Sequence, residues 1–360
     1  MSVDATKSLV ERSIGVGLLV LALLGPQLVT DFWMDTVLTQ TFILGIGAAS
    51  LIFLSAYGGM ISLAQAGLMG IAGYALGNMV SQRGPGGETK GLTLGWDPTT
   101  AVVVAILLTV AIALVFGLVA SRSFGIYFLM LTLTYSVIAF LFVSQVTQVG
   151  GFSPIAGIDR YTPGFVGDVV NDRERLYYIS LGVAIAVYVL IRYLVRTPFG
   201  ISLQGIRDEP MRMASLGYNV ALHRTLAFGI GALVAAVGGV LFAWWSGQLS
   251  PSNIGLQATI ELLVIAVIGG LVRIEGAWLG AFAYIVISNE VTNRIPSEGL
   301  PVIGGSFNTV IGLVFLAIVI VSPDGLMGLW DRIWDLARRR EGPPQIPAEL
   351  KRPAAKTSPS

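Results

Sequence analysis

The chain has no cysteine and a single histidine, His223. The first absence excludes disulfides, thiolate metal sites and thioether haem attachment. The second leaves a histidine-based metal centre without ligands. No metal ligand set and no cofactor is therefore expected. Charge is scarce too: 12% of the 360 residues are charged, where a soluble domain carries about 25%. So little charge cannot cover a water-facing surface, and most of this surface is expected to face lipid. The net charge of +1 supplies no global field for nucleic acid. No GxxxxGK[ST] run occurs, so the chain lacks the amides and lysine that cradle nucleotide phosphates. No carboxylate pair, histidine cluster or nucleophile beside a base marks a membrane enzyme.

What is present in excess is apolar sequence, 54% of the chain. It comes in long blocks rather than alternating, which argues against a transmembrane barrel. A bilayer core needs about 20 apolar residues per helix. On that ruler the charge-poor runs hold single spans at 13–30, 98–121, 123–158 (with a loop), 176–195, 226–245, 258–272, 276–289 and 302–321, and two spans in 36–82. The fold class is thus all-α, a polytopic membrane protein of about ten transmembrane helices. The flank 27–31 lacks a small-residue cleavage site, so the first run is expected to be retained. With the N-terminus cytoplasmic, 16 of the 22 basic residues fall inside and 6 outside. That is the positive-inside pattern, and an even helix count puts both termini in the cytoplasm. The expected organisation is a tail at 1–12, a permease domain at 13–330 and a largely disordered cytoplasmic tail at 331–360.

Glycine is abundant, at 44 residues. Gly231, Ala235 and Gly239 lie four apart, as do Gly276 and Gly280, a spacing that lets helix backbones approach closely in lipid. A weak echo links Gly58-Gly59 followed by GLMGIAGY to Gly269-Gly270 followed by GAWLGAFAY, consistent with a parallel internal repeat.

The only long cytoplasmic segment between spans is 196–224. It reads as a short surface helix: Asp208 as its cap, Glu209 and Pro210 in the first turn, then Met211, Ala214 and Ser215, with Gly217 as the stop and Arg207 and Arg212 flanking. A capped helix held between two spans suits docking to a cytoplasmic partner; an ordinary basic loop would look similar. The stretch GIRDEPMRMASLGYNV resembles the coupling loop of branched-chain amino acid ABC transporter permeases of the LivM-like type. The likeness continues in order through YGGMISLAQAGLMGIAGYALG, LAFGIGALVAAVGGVLFA, LSPSNIGLQATIELLVIAVIGGLVRIEGAWLGA and SPDGLMG, and covers roughly 40–330. Arg273 and Glu275 depart from it, standing where that family has small or apolar residues.

The resemblance implies a permease subunit of an ABC importer in a bacterial inner membrane, carrying branched-chain or related amino acids. Its partners would be two ABC ATPase subunits, a second related permease and an extracytoplasmic solute-binding protein. Arg207, Asp208, Glu209, Met211, Arg212, Leu216 and Gly217 would form the ATPase-coupling surface. Alternative cargoes are urea, short amides or small organic acids. An ion-coupled secondary transporter would bury several charged groups, and here only Glu261 is flanked on both sides by apolar helix. For the substrate path, Gly58 and Gly59 with Ser62 and Gln65 interrupt an apolar run, and a helix break exposes backbone amides to a carboxylate; a plain turn is the simpler reading. Glu261 is open between a path residue and a partner for a neighbouring subunit. Trp244 and Trp245 fit an aromatic belt.

Overall fold

Ten helices of six or more residues stand out among the described residues. α1 spans Trp33–Gly58 and begins with π-helical turns over Trp33–Thr39. α2 is Gln65–Val80, α3 Pro98–Ala120, α4 Ile126–Gln145 and α5 Arg173–Arg196. α6 is Pro198–Asp208, α7 Pro210–Ser215, α8 Val220–Ser246, α9 Leu256–Gly269 and α10 Gly276–Arg294. This computed structural model describes residues 20–81, 92–294 and 325–328, apart from 165 and 171, with single positions at 15, 17, 312, 313 and 316. Both tails, the start of the expected first span and nearly all of 302–321 lie outside the described residues. Six described helices are long and apolar enough to cross a membrane. The chain is an all-helical polytopic membrane protein.

Local chemistry sets the ends. Asp97 accepts from Thr99 N and Thr100 N ahead of Pro98, starting α3. Asn219 accepts from Leu222 N to start α8. α1 stops at Gly59, whose φ of +63° only glycine adopts readily, with Met60 N donating to Leu54 O at 3.0 Å.

α1, α2 and α8 are buried on nearly all sides, as expected of helices that are apolar all round. α3, α4 and α5 surround them and turn Leu107, Val115, Tyr127 and Val189 outward, the composition of a lipid-facing surface. The small-residue spacing has a direct use: a Cβ at Gly239 would overlap the Met69 carbonyl of α2, and one at Gly280 the Ile265 carbonyl of α9. These helices pack backbone to backbone.

Contacts sort the connections onto two ends. At one end Arg224 reaches Ser121 and Ser123, Arg207 reaches Ala56, and Tyr188 reaches Glu275. At the other, Trp245 Nε1 donates to Asp35 O at 3.1 Å and Asn78 Nδ2 to Val149 O at 3.0 Å. A two-stranded antiparallel ribbon, β1 Ile155–Ala156 with β2 Gln248–Leu249, closes that second end. Sequence reading had no place for it. Trp244 is 3% exposed, packed inside protein rather than in a lipid–water belt.

The segment 196–224 also needs correction. It holds two helices, not one. Thr197 accepts from Gly200 N and, with Pro198 next, caps α6. Asp208 caps nothing: it is the last residue of α6, and Glu209 at φ −145°, ψ 78° forms the joint to α7. Pro210 forces this, because its ring disfavours helical backbone at the residue before it.

Gly239→Ala is expected to lower the midpoint of thermal unfolding in detergent, at a cost of about 1–3 kcal/mol for overpacking. Gly182→Ala in α5, where an added Cβ would meet nothing within 4 Å, should be neutral or stabilising, and equal midpoints for the two would refute the close packing.

Candidate functional site

Two features stand at the Arg207 end of the bundle: an exposed knob and a buried helix break. The knob is α7 and the turn after it. Met211 is 79% exposed and Leu216 66%. The turn is built from hydrogen bonds: Gly217 N donates to Ala214 O at 3.0 Å and Tyr218 N to Met213 O at 3.1 Å, with Gly217 at φ +91°. That paired pattern ends a helix sharply and favours glycine. Glu209, Arg212 and Leu216 are exposed with it.

Arg207 and Asp208 do not belong to the knob alone. Arg207 Nε and Nη2 lie 2.8 and 2.7 Å from Asp208 Oδ1. Arg207 Nη1 also donates to the carbonyl of Ala56 in the last turn of α1. Its stem lies across Gly59, where an added Cβ would come within 2.6 Å of Arg207 Cγ. Gly59 thus gives the end of α6 a seat on α1.

The break runs from Gly59 through 60–64 to the start of α2. Ser62 and Gln65 come together there and are both 0% exposed. Gln65 Nε2 donates to Ser62 Oγ at 3.4 Å, and Ala64 N to the same oxygen at 3.2 Å. Three residues missed by sequence reading complete the cluster. Ser50 of α1 bonds Gln65 Oε1 at 3.1 Å. Thr132 Oγ1 accepts from Leu63 N at 3.0 Å, and Ser136 Oγ donates to Leu63 O at 2.8 Å. An interrupted helix inside a bilayer needs such partners, because no water is there to satisfy its backbone. In this conformation Leu63 of the break is bonded to α4, and Ser62 and Gln65 are closed off from solvent. Thr132 and Ser136, four apart on one face of a largely apolar helix, were the available signal.

Glu261 sits apart from this cluster in bonding terms. It lies in the second turn of α9, half-buried, and accepts from Tyr284 of α10. Arg273 and Glu275, the two departures from the family pattern, answer a third charge. Glu275 lies 3.1 Å from Arg192 and accepts from Tyr188 at 3.0 Å, with Arg273 at 3.8 Å. A carboxylate in the α9–α10 turn thereby neutralises the arginine that interrupts the end of α5.

Arg224 is the other residue sequence reading passed over, counting it only as a basic flank. It is 4% exposed. Its Nη1 donates to Ser121 O at 3.0 Å and Ser123 O at 2.8 Å, and its Nε lies 3.1 Å from Met60 Sδ. The guanidinium stacks over Phe124 at 4.3 Å and Phe128 at 5.5 Å. Carbonyls at a helix C-terminus and aromatic faces are good partners for a buried cation.

Residues 33–322 match the family described as branched-chain amino acid transport system permease components. The chain belongs to this family. It is a permease component of a transport system, not an enzyme. The permease is 25% identical over 336 residues to the high-affinity branched-chain amino acid transport system permease protein LivM of Escherichia coli K12, covering 87% of this chain and 74% of that protein. It is 26% identical over 170 residues to LivH of the same organism, covering 47% and 51%. The galactose/methyl galactoside import permease MglC of Salmonella typhimurium is 28% identical over 210 residues, covering 57% of this chain and 61% of that one. No solved structure matches.

Thr132→Val leaves the buried Leu63 N–H without a partner, a loss of about 1–3 kcal/mol. The unfolding midpoint in detergent should fall for this variant and stay unchanged for Thr134→Val, whose hydroxyl faces outward and bonds only its own helix. Equal midpoints would show that Thr132 does not hold the break.

Proposed function

We propose that this permease is the membrane-spanning subunit of an ATP-binding-cassette importer and that 196–224 is its coupling segment. The observation that carries the reading is the knob: a sharply terminated short helix at one bundle end that holds Met211 and Leu216 in water. Apolar side chains held rigidly in solvent call for a groove on another protein. Two separate ATPase subunits would supply that groove, with Glu209, Met211, Arg212, Leu216 and Gly217 as the contact. Arg207 and Asp208 would link the contact to α1.

In this reading both termini and the 196–224 segment are cytoplasmic, in a bacterial inner membrane. Residues 13–330 form the permease domain of about ten spans, with tails at 1–12 and 331–360. A second related permease completes the membrane unit, and an extracytoplasmic solute-binding protein delivers cargo at the ribbon end. ATP-driven closure of the ATPases moves the coupling helices as rigid levers, biasing the bundle between inward-open and outward-open states. The cargo is a branched-chain or related amino acid, in line with the family and the LivM relatives. The similarity to a galactose permease favours one alternative, the same scaffold serving another small polar solute. Gly58, Gly59, Ser62 and Gln65 would line the path once the break opens. Neutral hydroxyl and amide groups suit a zwitterion or an uncharged polar solute. Glu261 would serve the path or the neighbouring permease.

Co-purification with candidate ATPase and permease subunits tests the assembly. Glu209→Lys and Gly217→Val should leave the complex assembled and hydrolysing ATP while uptake into proteoliposomes falls about tenfold or more. Normal uptake in both variants would defeat the coupling role.

A further inference from the structure

Besides the buried Leu203 and Ile206 of α6, the coupling segment makes two arginine contacts on residues adjacent in the chain. Arg207, at its first half, lies on Gly59 and bonds the Ala56 carbonyl. Arg224, just past its second half, holds Met60 through its Nε. Gly59 and Met60 open the break that leads to Ser62 and Gln65. Met60 is itself 1% exposed.

The geometry points to Arg207 and Arg224 as a two-point grip that delivers movement of the coupling helices to the Ser62–Gln65 break. This rests on the coupling reading above. Both residues are positioning residues. Arg207 is suited to the task because its planar fork spans two acceptors at once, the Asp208 carboxylate and the Ala56 carbonyl, which an ammonium cannot do in the same way. The absent side chain at Gly59 lets the arginine stem rest directly on the backbone. Arg224 anchors the other side. It ties Met60 to the end of α3 through Ser121 and Ser123, and to the start of α4 through Phe128. The same α4 carries Thr132 and Ser136, which hold Leu63 from the far side of the break. A shift of α6 against α4 must therefore either carry 59–63 with it or break these bonds. A close-packed segment held by several hydrogen bonds has few intermediate arrangements, so a small displacement at the segment is converted into opening at Ser62 and Gln65.

The absence of native cysteine makes the test direct. Ser62→Cys is introduced, and the complete transporter is reconstituted in nanodiscs with its ATPases and sister permease. Labelling by a small methanethiosulfonate reagent is timed without nucleotide and after trapping with ATP and vanadate. The labelling rate should change about tenfold between the two states, and that response should fall to near unity when Arg207→Met is added to an intact complex. Arg207→Lys, which keeps charge and stem, should lose most of the response as well, and it decides the matter if the methionine variant does not assemble. A response that survives either substitution overturns the grip, as does an unresponsive position 62 in a complex that hydrolyses ATP and imports. Failure of the parent chain to bind any ATPase would instead sink the coupling reading, and the grip with it.

Discussion

A helix interrupted inside a bilayer must find protein partners for every backbone group it frees, and this permease is organised around one such interruption. Between α1 and α2 the chain leaves helical geometry at Gly59 and resumes it at Gln65. The gap survives because α4 offers a hydroxyl to each side of Leu63, and because Ser50, Ser62 and Gln65 satisfy one another. The three most enclosed helices, α1, α2 and α8, meet around it. α3, α4 and α5 separate them from lipid. A hydrogen-bonded polar island in such a place favours one arrangement and makes any other one discrete rather than gradual.

The same economy of partners governs charge. Few ionised groups lie in the described spans, and three of the buried or half-buried ones have close partners. Arg224 has two helix-terminal carbonyls and two aromatic faces, Arg192 has Glu275, and Glu261 has Tyr284. Arg192, Arg207 and Arg224 lie at the end of the bundle that carries α6 and α7. Arg207 and Arg224 lie between the exposed knob at Met211 and Leu216 and the concealed break at Ser62 and Gln65, with Arg207 on Ala56 and Gly59 and Arg224 on Met60.

Much of this was legible in the sequence. Apolar run length placed α3 and α5 almost to the residue, and the Gly58-Gly59 pair marked the end of α1. Four-residue glycine spacing identified Gly239 and Gly280, which do bring backbones together. Gly217 was read as a stop and carries the positive φ a stop requires. What failed did so for identifiable reasons. Asp208 looked like a cap because acidic residues favour that position, but Pro210 sets the boundary one residue later, and Thr197-Pro198 was the stronger capping signal. Arg224 looked like a flanking charge, since its acceptors lie a hundred residues away in the chain. The ribbon of β1 and β2 is two residues wide and depends on pairing between distant loops, which no local pattern announces.

The central claim is that α7 is held by a nucleotide-hydrolysing protein. Photocrosslinking tests it most directly. A photoreactive amino acid is placed at position 211 in membranes containing the whole transporter, with position 170 at the ribbon end as the comparison. The account predicts an adduct between position 211 and an ATPase subunit, and none from position 170. Adducts from 211 confined to lipid or to an extracytoplasmic protein would contradict it.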